Sequence, residues 1–250
     1  MTAGTSVVAI TGGTRGIGRA IADCFRAQGA SVAVCSRSPR DVSLPRDIFH
    51  ARVDVRRREE VETFLQKVSR QFGLLHIVVN CAGISRWRPL EELDEVFVAD
   101  VIETNVLGTL WGCQAAVRLL SEGGCIVNVS SLAGKRGSVN NSVYCASKFA
   151  VNGMTQALAK ELGPRGVRVN AVCPVYVETD RLVTSLEESA SPAHGQGVGQ
   201  YLAAFAASQT ALGKLPTTQE VAQAVVFLAS PAASAITGQC LNVDCGTFPQ

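Results

Sequence analysis

The sequence predicts an α/β protein in which a parallel sheet of about seven strands is covered by helices on both faces. Short, almost wholly apolar runs recur along the chain, the first at Ser6–Thr11, and such runs are typical of strands buried on both faces. Helical patterns alternate with these runs, which favours a doubly wound parallel sheet. With 250 residues, of which 47% are hydrophobic, the chain is large enough to form one such domain over residues 1–250.

The individual elements follow from where these patterns begin and end. Strands are expected at Ser6–Thr11, Ser31–Cys35, Ile48–Val53, Leu75–Val79, Ile126–Val129, Val167–Cys173 and Gly238–Val243. Helices are expected up to Gln28, at Arg56–Phe72, at Leu93–Leu120, up to Leu162, and from a capping box at Thr217-Thr218-Gln219-Glu220 to Ala229.

The segment 175–216 interrupts this alternation and contains one expected helix, near Gly199–Gln209. Segments of this length inside a compact domain are usually lids or binding loops. We therefore predict that residues 175–216 bind or cover a substrate. A tolerated surface insertion is the alternative.

The first strand is followed by the turn Gly12-Gly13-Thr14-Arg15-Gly16-Ile17-Gly18 and then by a helix. In a Rossmann-type fold, such a turn lets backbone N–H groups approach a pyrophosphate, and its last glycine allows close packing of helix on strand. The pattern predicts cofactor contacts from Gly12, Thr14, Arg15, Gly16, Ile17 and Gly18. The alternative is an ordinary strand-to-helix turn, which the placement of the glycines disfavours.

The end of the second strand indicates which dinucleotide is bound. In dinucleotide-binding folds, the end of the second strand meets the adenosine ribose of the cofactor. A carboxylate there suits the free 2′-hydroxyl of NAD(H), whereas an arginine suits the 2′-phosphate of NADP(H). Here the strand runs into Ser36-Arg37-Ser38. We therefore predict that Ser36 and Arg37 contact the cofactor, with Arg15 nearby, and that NADP(H) is favoured. NAD(H) is possible if Arg37 is a surface charge and Asp41 binds the ribose.

A second group of polar residues surrounds the motif Tyr144-x-x-x-Lys148. On a helix this spacing places phenol and ammonium on one face, about one turn apart. A nearby positive charge favours the phenolate, so Lys148 is expected to lower the pKa of Tyr144 and make it a usable general acid or base. Ser131 follows an apolar strand, and Asn105 lies in an apolar helical stretch where it needs hydrogen-bond partners.

Several polar residues and glycines follow different strands of the predicted sheet. Because the carboxyl ends of parallel strands meet at one edge, such residues can collect in a single ligand-binding crevice. The residues at or just after strand ends are Gly12, Arg37, Asp54, Asn80, Ser131 and Pro174.

These motifs resemble the classical short-chain dehydrogenase/reductase family, and the resemblance covers essentially the whole chain. The matching residues are Thr11-Gly12-x-x-x-Gly16-x-Gly18, Asn80-Cys81-Ala82-Gly83, Ser131 thirteen positions before Tyr144, and Tyr144-x-x-x-Lys148. The resemblance implies catalytic roles for Asn105, Ser131, Tyr144 and Lys148. It also implies cofactor contacts from Asp54, Val55, Asn80, Ala82, Gly83, Tyr144, Lys148, Pro174, Val177 and Thr179.

The resemblance also bears on assembly. The segment Asn242-Val243-Asp244 resembles a family signature that often lies near a subunit contact. Members are usually dimers or tetramers, so a homo-oligomer is expected.

The chain departs from the family pattern at three positions. Val175 follows Pro174 where the family usually has glycine, which adds bulk beside the expected nicotinamide. Cys81 replaces the second asparagine of the Asn-Asn-Ala-Gly motif, and Cys245 stands where a second glycine is common.

The resemblance implies an NADP(H)-dependent oxidoreductase that interconverts a ketone or aldehyde and an alcohol. A reductase of 3-oxoacyl thioesters or of secondary-metabolite ketones is expected. The alternatives are an NAD-dependent alcohol, sugar or polyol dehydrogenase and a catalytically silent nucleotide-binding sensor. Four basic residues, Arg86, Arg88, Lys135 and Arg136, either form a mouth for an acidic substrate or are solvated loop charges, and Trp87 could wall an apolar pocket.

Bulk composition narrows the function class further. The net charge of +2 and the lack of a long basic run argue against nucleic-acid binding, and no apolar run approaches the ~20 residues that span a membrane. The nine cysteines are scattered and form no Cys-x-x-Cys pair. Small buried thiols in a reducing compartment explain them better than disulfides or a metal site, so a cytoplasmic, metal-free protein is expected.

Overall fold

The computed structural model describes residues 6–249. These residues contain one sheet of seven strands. The strands are β1 (Val7–Thr11), β2 (Ser31–Ser36), β3 (Phe49–Arg52), β4 (Leu75–Asn80), β5 (Leu120–Val129), β6 (Arg168–Pro174) and β7 (Cys240–Val243). Their order across the sheet is β3-β2-β1-β4-β5-β6-β7, and every pair is parallel. The predicted Rossmann-type fold is confirmed.

Residues 6–249 form eight α-helices, most of which pack on the sheet. They are α1 (Gly16–Ala27), α2 (Arg58–Phe72), α3 (Glu95–Ile102), α4 (Gly108–Val117), α5 (Ser142–Leu162), α6 (Asp180–Leu186), α7 (Val198–Gln209) and α8 (Thr218–Ala229). Side chains of α1 and α8 fill the apolar core on one face of the sheet. Side chains of α2, α4 and α5 fill the core on the other face. The sheet is therefore buried on both sides, which is why its strands have almost unbroken apolar sequences.

The helix expected at Leu93–Leu120 differs from the prediction in its middle and at its end. Between α3 and α4 the residues Glu103–Leu107 form a π-helical turn, which we call the π segment. The last residue of the expected helix, Leu120, instead begins β5, where it pairs with Leu75 of β4. Asn105 lies in the π segment, and π turns of this kind are frequent at functional sites.

The continuous helical stretch Glu95–Val117 also bears on the membrane expectation. It has 23 residues and a mean hydropathy of 1.2, so by length and composition it passes the criterion for a membrane span, which the sequence analysis did not anticipate. In the structure it packs against α2, α5 and β4. Contacts inside the domain therefore account for its apolar composition, as for other core helices.

The segment 175–216 contains two helices where one was expected. The predicted helix is α7, whereas the shorter α6 was missed although Thr179 caps it by accepting a hydrogen bond from Leu182 N (3.2 Å). Buried side chains of this segment form a small separate apolar cluster with Trp87. The segment is thus a folded subregion packed beside the carboxyl ends of the strands. The capping box predicted at the start of α8 is confirmed, with both reciprocal bonds present between Thr217 and Glu220.

Candidate active site

A cleft of about 740 Å³ lies at the carboxyl edge of the sheet and collects most of the residues singled out in the sequence. It is bounded by the glycine turn, the ends of β2, β4, β5 and β6, and the segment 175–216. The predicted site residues that line it are Gly12, Thr14, Arg15, Gly16, Ile17, Gly18, Ser36, Arg37, Asp54, Val55, Ala82, Gly83, Ser131, Tyr144, Lys148, Pro174, Val177 and Thr179.

The glycine turn is built for close approach of backbone to backbone. Gly12 has φ +70°, and a β-carbon there would lie 2.9 Å from Ala82 Cα. A β-carbon on Gly18 would collide with the carbonyl oxygen of Gly12. Thr11 Oγ1 accepts hydrogen bonds from Cys81 N (3.1 Å) and Ala82 N (3.2 Å), which joins the turn after β1 to the turn after β4. These contacts leave an open cradle at the N-terminus of α1, which fits a pyrophosphate.

The two arginines predicted at the ribose end both line the cleft. Among residues 6–249, neither the Arg15 nor the Arg37 guanidinium takes part in an ion pair or a side-chain hydrogen bond. Asp41, the alternative ribose ligand, lies outside the cleft, and its carboxylate accepts a hydrogen bond from Ser43 N (2.7 Å). Asp54 Oδ2 accepts a hydrogen bond from Arg56 Nη2 (2.6 Å), and this bond lowers the pKa of the Asp54 carboxyl. The ribose end therefore presents unpaired positive charge, which suits a 2′-phosphate.

Sequence analysis missed one of the arginines that line the cleft. Arg181, at the start of α6, donates a hydrogen bond from Nη1 to the carbonyl oxygen of Gly83 (2.9 Å) and so connects the segment 175–216 to the turn after β4. Desolvation and the positive charges of Arg15 and Arg37 lower its pKa. No motif in the sequence marks this residue, because its proximity to the glycine turn depends on the fold of α6.

Tyr144 and Lys148 lie one turn apart on α5, with both side chains at the cleft. Lys148 Nζ is 5.8 Å from the centre of the Tyr144 ring and donates a hydrogen bond to Val129 O (2.9 Å) at the end of β5. Lys148 is only 6% exposed. The helix and the strand together hold a buried ammonium group beside the phenol.

Burial shifts the pKa values of this pair in opposite directions. Desolvation raises the pKa of Tyr144 to about 12, opposed by a hydrogen bond with Ser131. Desolvation lowers the pKa of Lys148 to about 8. The lowered pKa expected for Tyr144 is therefore wrong for the protein alone, because burial of the phenolate outweighs the hydrogen bond with Ser131. At pH 7 the phenol carries its proton.

Ser131 and Asn105 occupy different environments. Ser131 lines the cleft near Tyr144 and caps a short helical turn by accepting a hydrogen bond from Ala133 N (3.1 Å). Asn105 is 1% exposed and lies behind the cleft wall. Its side chain accepts from Ile84 N (2.8 Å) and donates to Ile84 O (2.9 Å) and to Ser147 Oγ (3.0 Å). Asn105 therefore fixes the turn after β4 against α5 through its side chain.

Asn80 is the other predicted site residue whose side chain does not line the cleft. It points from β4 towards α4, where its Nδ2 donates to Asn128 Oδ1 (2.9 Å) and contacts Cys113 Sγ (3.3 Å). The absence of a side chain on Gly112 makes room for this amide. Alternate residues of a strand face opposite sides of the sheet, so a position at a strand end does not by itself place a side chain in the crevice.

The other end of the cleft has an aromatic wall. The ring centre of Tyr176 lies 4.9 Å from that of Phe205 and 5.8 Å from that of Tyr201, in edge-to-face arrangements, and the two tyrosine hydroxyls are 3.1 Å apart. Val175 and Trp87 also line this end, as the sequence suggested. Three of the four basic residues that could form the entrance for an acidic substrate already have partners within the protein. Arg86 pairs with Glu188 (3.7 Å), Arg88 pairs with Asp94 (3.3 Å), and Lys135 donates to Cys240 O (2.6 Å).

A protonated phenol and a hydroxyl group beside a cleft that contains the glycine turn are the groups that hydride transfer to a carbonyl carbon requires. They define the chain as an oxidoreductase that acts on carbonyl or alcohol groups. Comparison with known proteins narrows this class. The family profile described as enoyl-(acyl carrier protein) reductase matches residues 12–247. The chain belongs to the short-chain dehydrogenase/reductase family, as its motifs indicated.

Relatives in this family act on different substrates. The chain is 35% identical over 249 residues to a 3-oxoacyl-(acyl-carrier-protein) reductase of Chlamydia muridarum, with 95% of each chain covered. It is 35% identical over 255 residues to a diacetyl reductase of Staphylococcus aureus, with 96% of each covered. The solved structure of an actinorhodin polyketide ketoreductase variant with NADPH superposes with a TM-score of 0.89 at 32% identity, covering 98% of each chain.

Proposed function

We propose that this protein is an NADP(H)-dependent carbonyl reductase in which Tyr144 is the proton donor. The observation that carries the proposal is the arrangement of the cleft. Ser131, Tyr144 and Lys148 line it, as do Arg15 of the glycine turn and Arg37 after β2, and neither arginine has an ion-pair or side-chain hydrogen-bond partner among residues 6–249. The relative solved with NADPH supports the choice of cofactor.

In the proposed reaction the bound nicotinamide supplies a hydride to the carbonyl carbon of the substrate. The Tyr144 hydroxyl transfers its proton to the carbonyl oxygen, and Ser131 donates a hydrogen bond to the same oxygen. The Lys148 ammonium favours the phenolate that forms. Asn105 holds the turn after β4 in place, and we propose that it also anchors a water for proton supply. The products are an alcohol and the oxidised cofactor.

The protonation state of Tyr144 favours reduction over oxidation. Because the pKa of Tyr144 is raised to about 12, the phenol is protonated at pH 7 and ready to act as an acid. Oxidation of an alcohol needs the phenolate as a base, and the unliganded site disfavours that form. An NAD-dependent alcohol, sugar or polyol dehydrogenase is therefore the second candidate. A silent nucleotide sensor is disfavoured because the three polar residues are all present.

The remaining parts of the proposal concern the substrate lid, the cellular location and the oligomeric state of the protein. We propose that residues 175–216 act as the substrate lid, since eleven of them, from Val175 to Phe205, line the cleft. A cytoplasmic location is supported by nine free thiols. A homodimer or homotetramer is supported by exposed apolar side chains on helices and on the edge strand, namely Val96, Phe149, Phe227 and Leu241.

The reaction is tested by titrating the protein with NADPH and with NADH, followed by turnover with a panel of ketones. We expect NADPH to bind at least about tenfold more tightly, a difference of roughly 1.4 kcal/mol. Tyr144→Phe should bind NADPH normally and lose about 10²–10⁴-fold in turnover, since a positioned proton donor contributes that much. An active Tyr144→Phe enzyme would rule out the assigned proton donor, and preference for NADH would rule out the cofactor assignment.

A further inference from the structure

The connection from β5 to α5 brings a second polar position to the cleft, five residues beyond Ser131. Arg136 lines the cleft and is half-buried. Its backbone is anchored, because Arg136 N donates to Leu132 O (3.2 Å) and the neighbouring Gly134 O accepts from Asn152 Nδ2 (2.9 Å) on α5. The position of Arg136 is therefore set by the same short turn that holds Ser131.

Arg136 differs from the other basic residues at this end of the cleft in having no partner. Its guanidinium makes no ion pair and no side-chain hydrogen bond with any residue between 6 and 249. The nearby acid in the cleft, Glu188, already accepts from Trp87 N (2.8 Å) and pairs with Arg86. A half-buried charge without a partner is costly, which makes an anionic ligand a natural complement.

A second unpartnered group lies at the end of the same connection, directly before α5. Asn141, the residue before α5, lines the cleft and is only 4% exposed, yet its Oδ1 has no hydrogen-bond partner among the described residues. Buried amides are normally satisfied. Because no hydrogen bond from residues 6–249 holds this amide oxygen, the amide is available to a ligand that also meets Arg136.

Arg136 lies near the aromatic wall as well. Burial raises the pKa of Tyr176, and the positive charge of Arg136 opposes that rise. The Tyr176 ring packs edge-to-face on Phe205, so a polar position and an apolar wall adjoin at the substrate end. A compound held between them would have one anionic arm and one apolar arm.

We propose that Arg136 and Asn141 form an anion subsite, and that the substrate is a carbonyl compound with an anionic group on one side and an apolar or aromatic group on the other. The inference rests on the proposed reductase activity and adds the class of substrate. A carboxylate on a small oxo acid and a phosphate on the carrier of an acyl thioester share the required chemistry.

The test compares charged and uncharged forms of one ketone. Initial rates of NADPH oxidation are measured with 2-oxo-4-phenylbutanoate and with its ethyl ester, for the wild type and for Arg136→Met. The acid should lose about 10–100-fold in kcat/KM, mostly through KM, because a hydrogen bond between charged groups contributes about 1.5–3 kcal/mol. The ester should change less than threefold, and Arg136→Lys should restore part of the loss.

A matched control and a second pair of substrates complete the design. Arg88→Met removes an arginine of the same region that is already paired with Asp94, so it should leave both rates unchanged. Acetoacetyl-coenzyme A and the uncharged acetoacetyl-N-acetylcysteamine distinguish a phosphate from a carboxylate. A loss confined to the coenzyme A thioester would assign the subsite to a carrier phosphate.

Two outcomes would overturn the inference, and they are distinguishable. If Arg136→Met reduces every charged and uncharged compound as well as the wild type does, the anion subsite is wrong while the reductase activity stands. If the wild type oxidises NADPH with none of these carbonyl compounds, the proposed function fails and the subsite proposal fails with it.

Discussion

Cys245 shows how one residue can carry a conformational cost. Its φ is +54°, in the left-handed region, where a side chain crowds the following carbonyl and costs roughly 1–2 kcal/mol. The turn is held by Asp244, whose carboxylate accepts from Gly246 N (3.0 Å) and Phe248 N (2.9 Å). This geometry is the physical reason why a glycine, which the family resemblance implies here, would suit this position.

Cys245→Gly should stabilise the protein. Relief of the left-handed strain exceeds the entropic cost of a glycine, which is roughly 0.5–1 kcal/mol, so the free energy of unfolding should rise by about 1 kcal/mol. Urea denaturation at pH 7 measures the change. Cys245→Ser keeps the β-carbon and should behave like the wild type; a glycine variant no more stable than the serine variant would show that the turn is unstrained.

Single residues also show how much of the candidate site could be predicted from the sequence alone. Tyr144, Lys148 and Ser131 were found because spacing and strand ends fix their positions. The pKa of Tyr144 was not predicted, because it is raised mainly by burial, and the extent of burial depends on the packing around α5. Asn80 illustrates a further limit, since the sequence placed it at a strand end without indicating which face its side chain occupies.

At the scale of elements, α6 joins two parts of the cleft that are distant in sequence. Thr179 caps this helix beside Gly16, where a β-carbon would lie 3.3 Å from Thr179 Cγ2. Arg181 then bonds to Gly83 on the opposite side. The helix thus carries a positive charge to the middle of the cofactor cleft, between the glycine turn and the turn after β4.

Arg181→Met should weaken both cofactors by the same factor. A charge near the glycine turn acts on the pyrophosphate that NADPH and NADH share, and its loss should cost about 10–100-fold in Kd. Arg37→Ser is the matched control, because it should weaken NADPH and leave NADH nearly unchanged. Fluorescence titration of each variant with both cofactors separates the two effects, and a loss with Arg181→Met limited to NADPH would contradict this role.

The elements themselves were largely predictable. All seven strands were found, the five central ones because burial on both faces gives them apolar runs without alternation. The π segment was not, since Glu103–Leu107 contains no proline or glycine that would interrupt the helical pattern and differs from its surroundings only in hydrogen-bond register. The short helix α6 was missed because seven residues carry little periodic signal.

At the scale of the whole molecule, the buried ammonium of Lys148 opposes folding. Its pKa is lowered from the model-compound value of 10.5 to about 8, so the unfolded chain binds its proton more tightly than the native protein. Below pH 8 both states are protonated and the full penalty applies. As the pH rises from 8 towards 10.5 the native lysine loses its proton first, and the penalty disappears.

Lys148→Met should therefore have a pH-dependent effect on stability. Relative to the wild type, the variant should be most favoured below pH 8, and this relative advantage should shrink by on the order of 2–3 kcal/mol as the pH approaches 10. Denaturant unfolding at pH 7 and at pH 10 measures the change. Lys160→Met, which removes an exposed lysine of the same helix, should show no such trend. A constant difference for Lys148→Met would mean that the ammonium is well solvated.

The π segment has a consequence for how this chain can vary. A π turn holds one more residue than the α-helical turn it replaces, so the loss of one residue from Glu103–Leu107 would restore a regular helix. The helix α4, which follows the π segment, would then rotate by about 100° about its axis and move by about 1.5 Å along it. Asn105 could no longer face Ile84, and Gly112 could no longer face Asn80. In this region, therefore, chain length is under tighter constraint than residue identity.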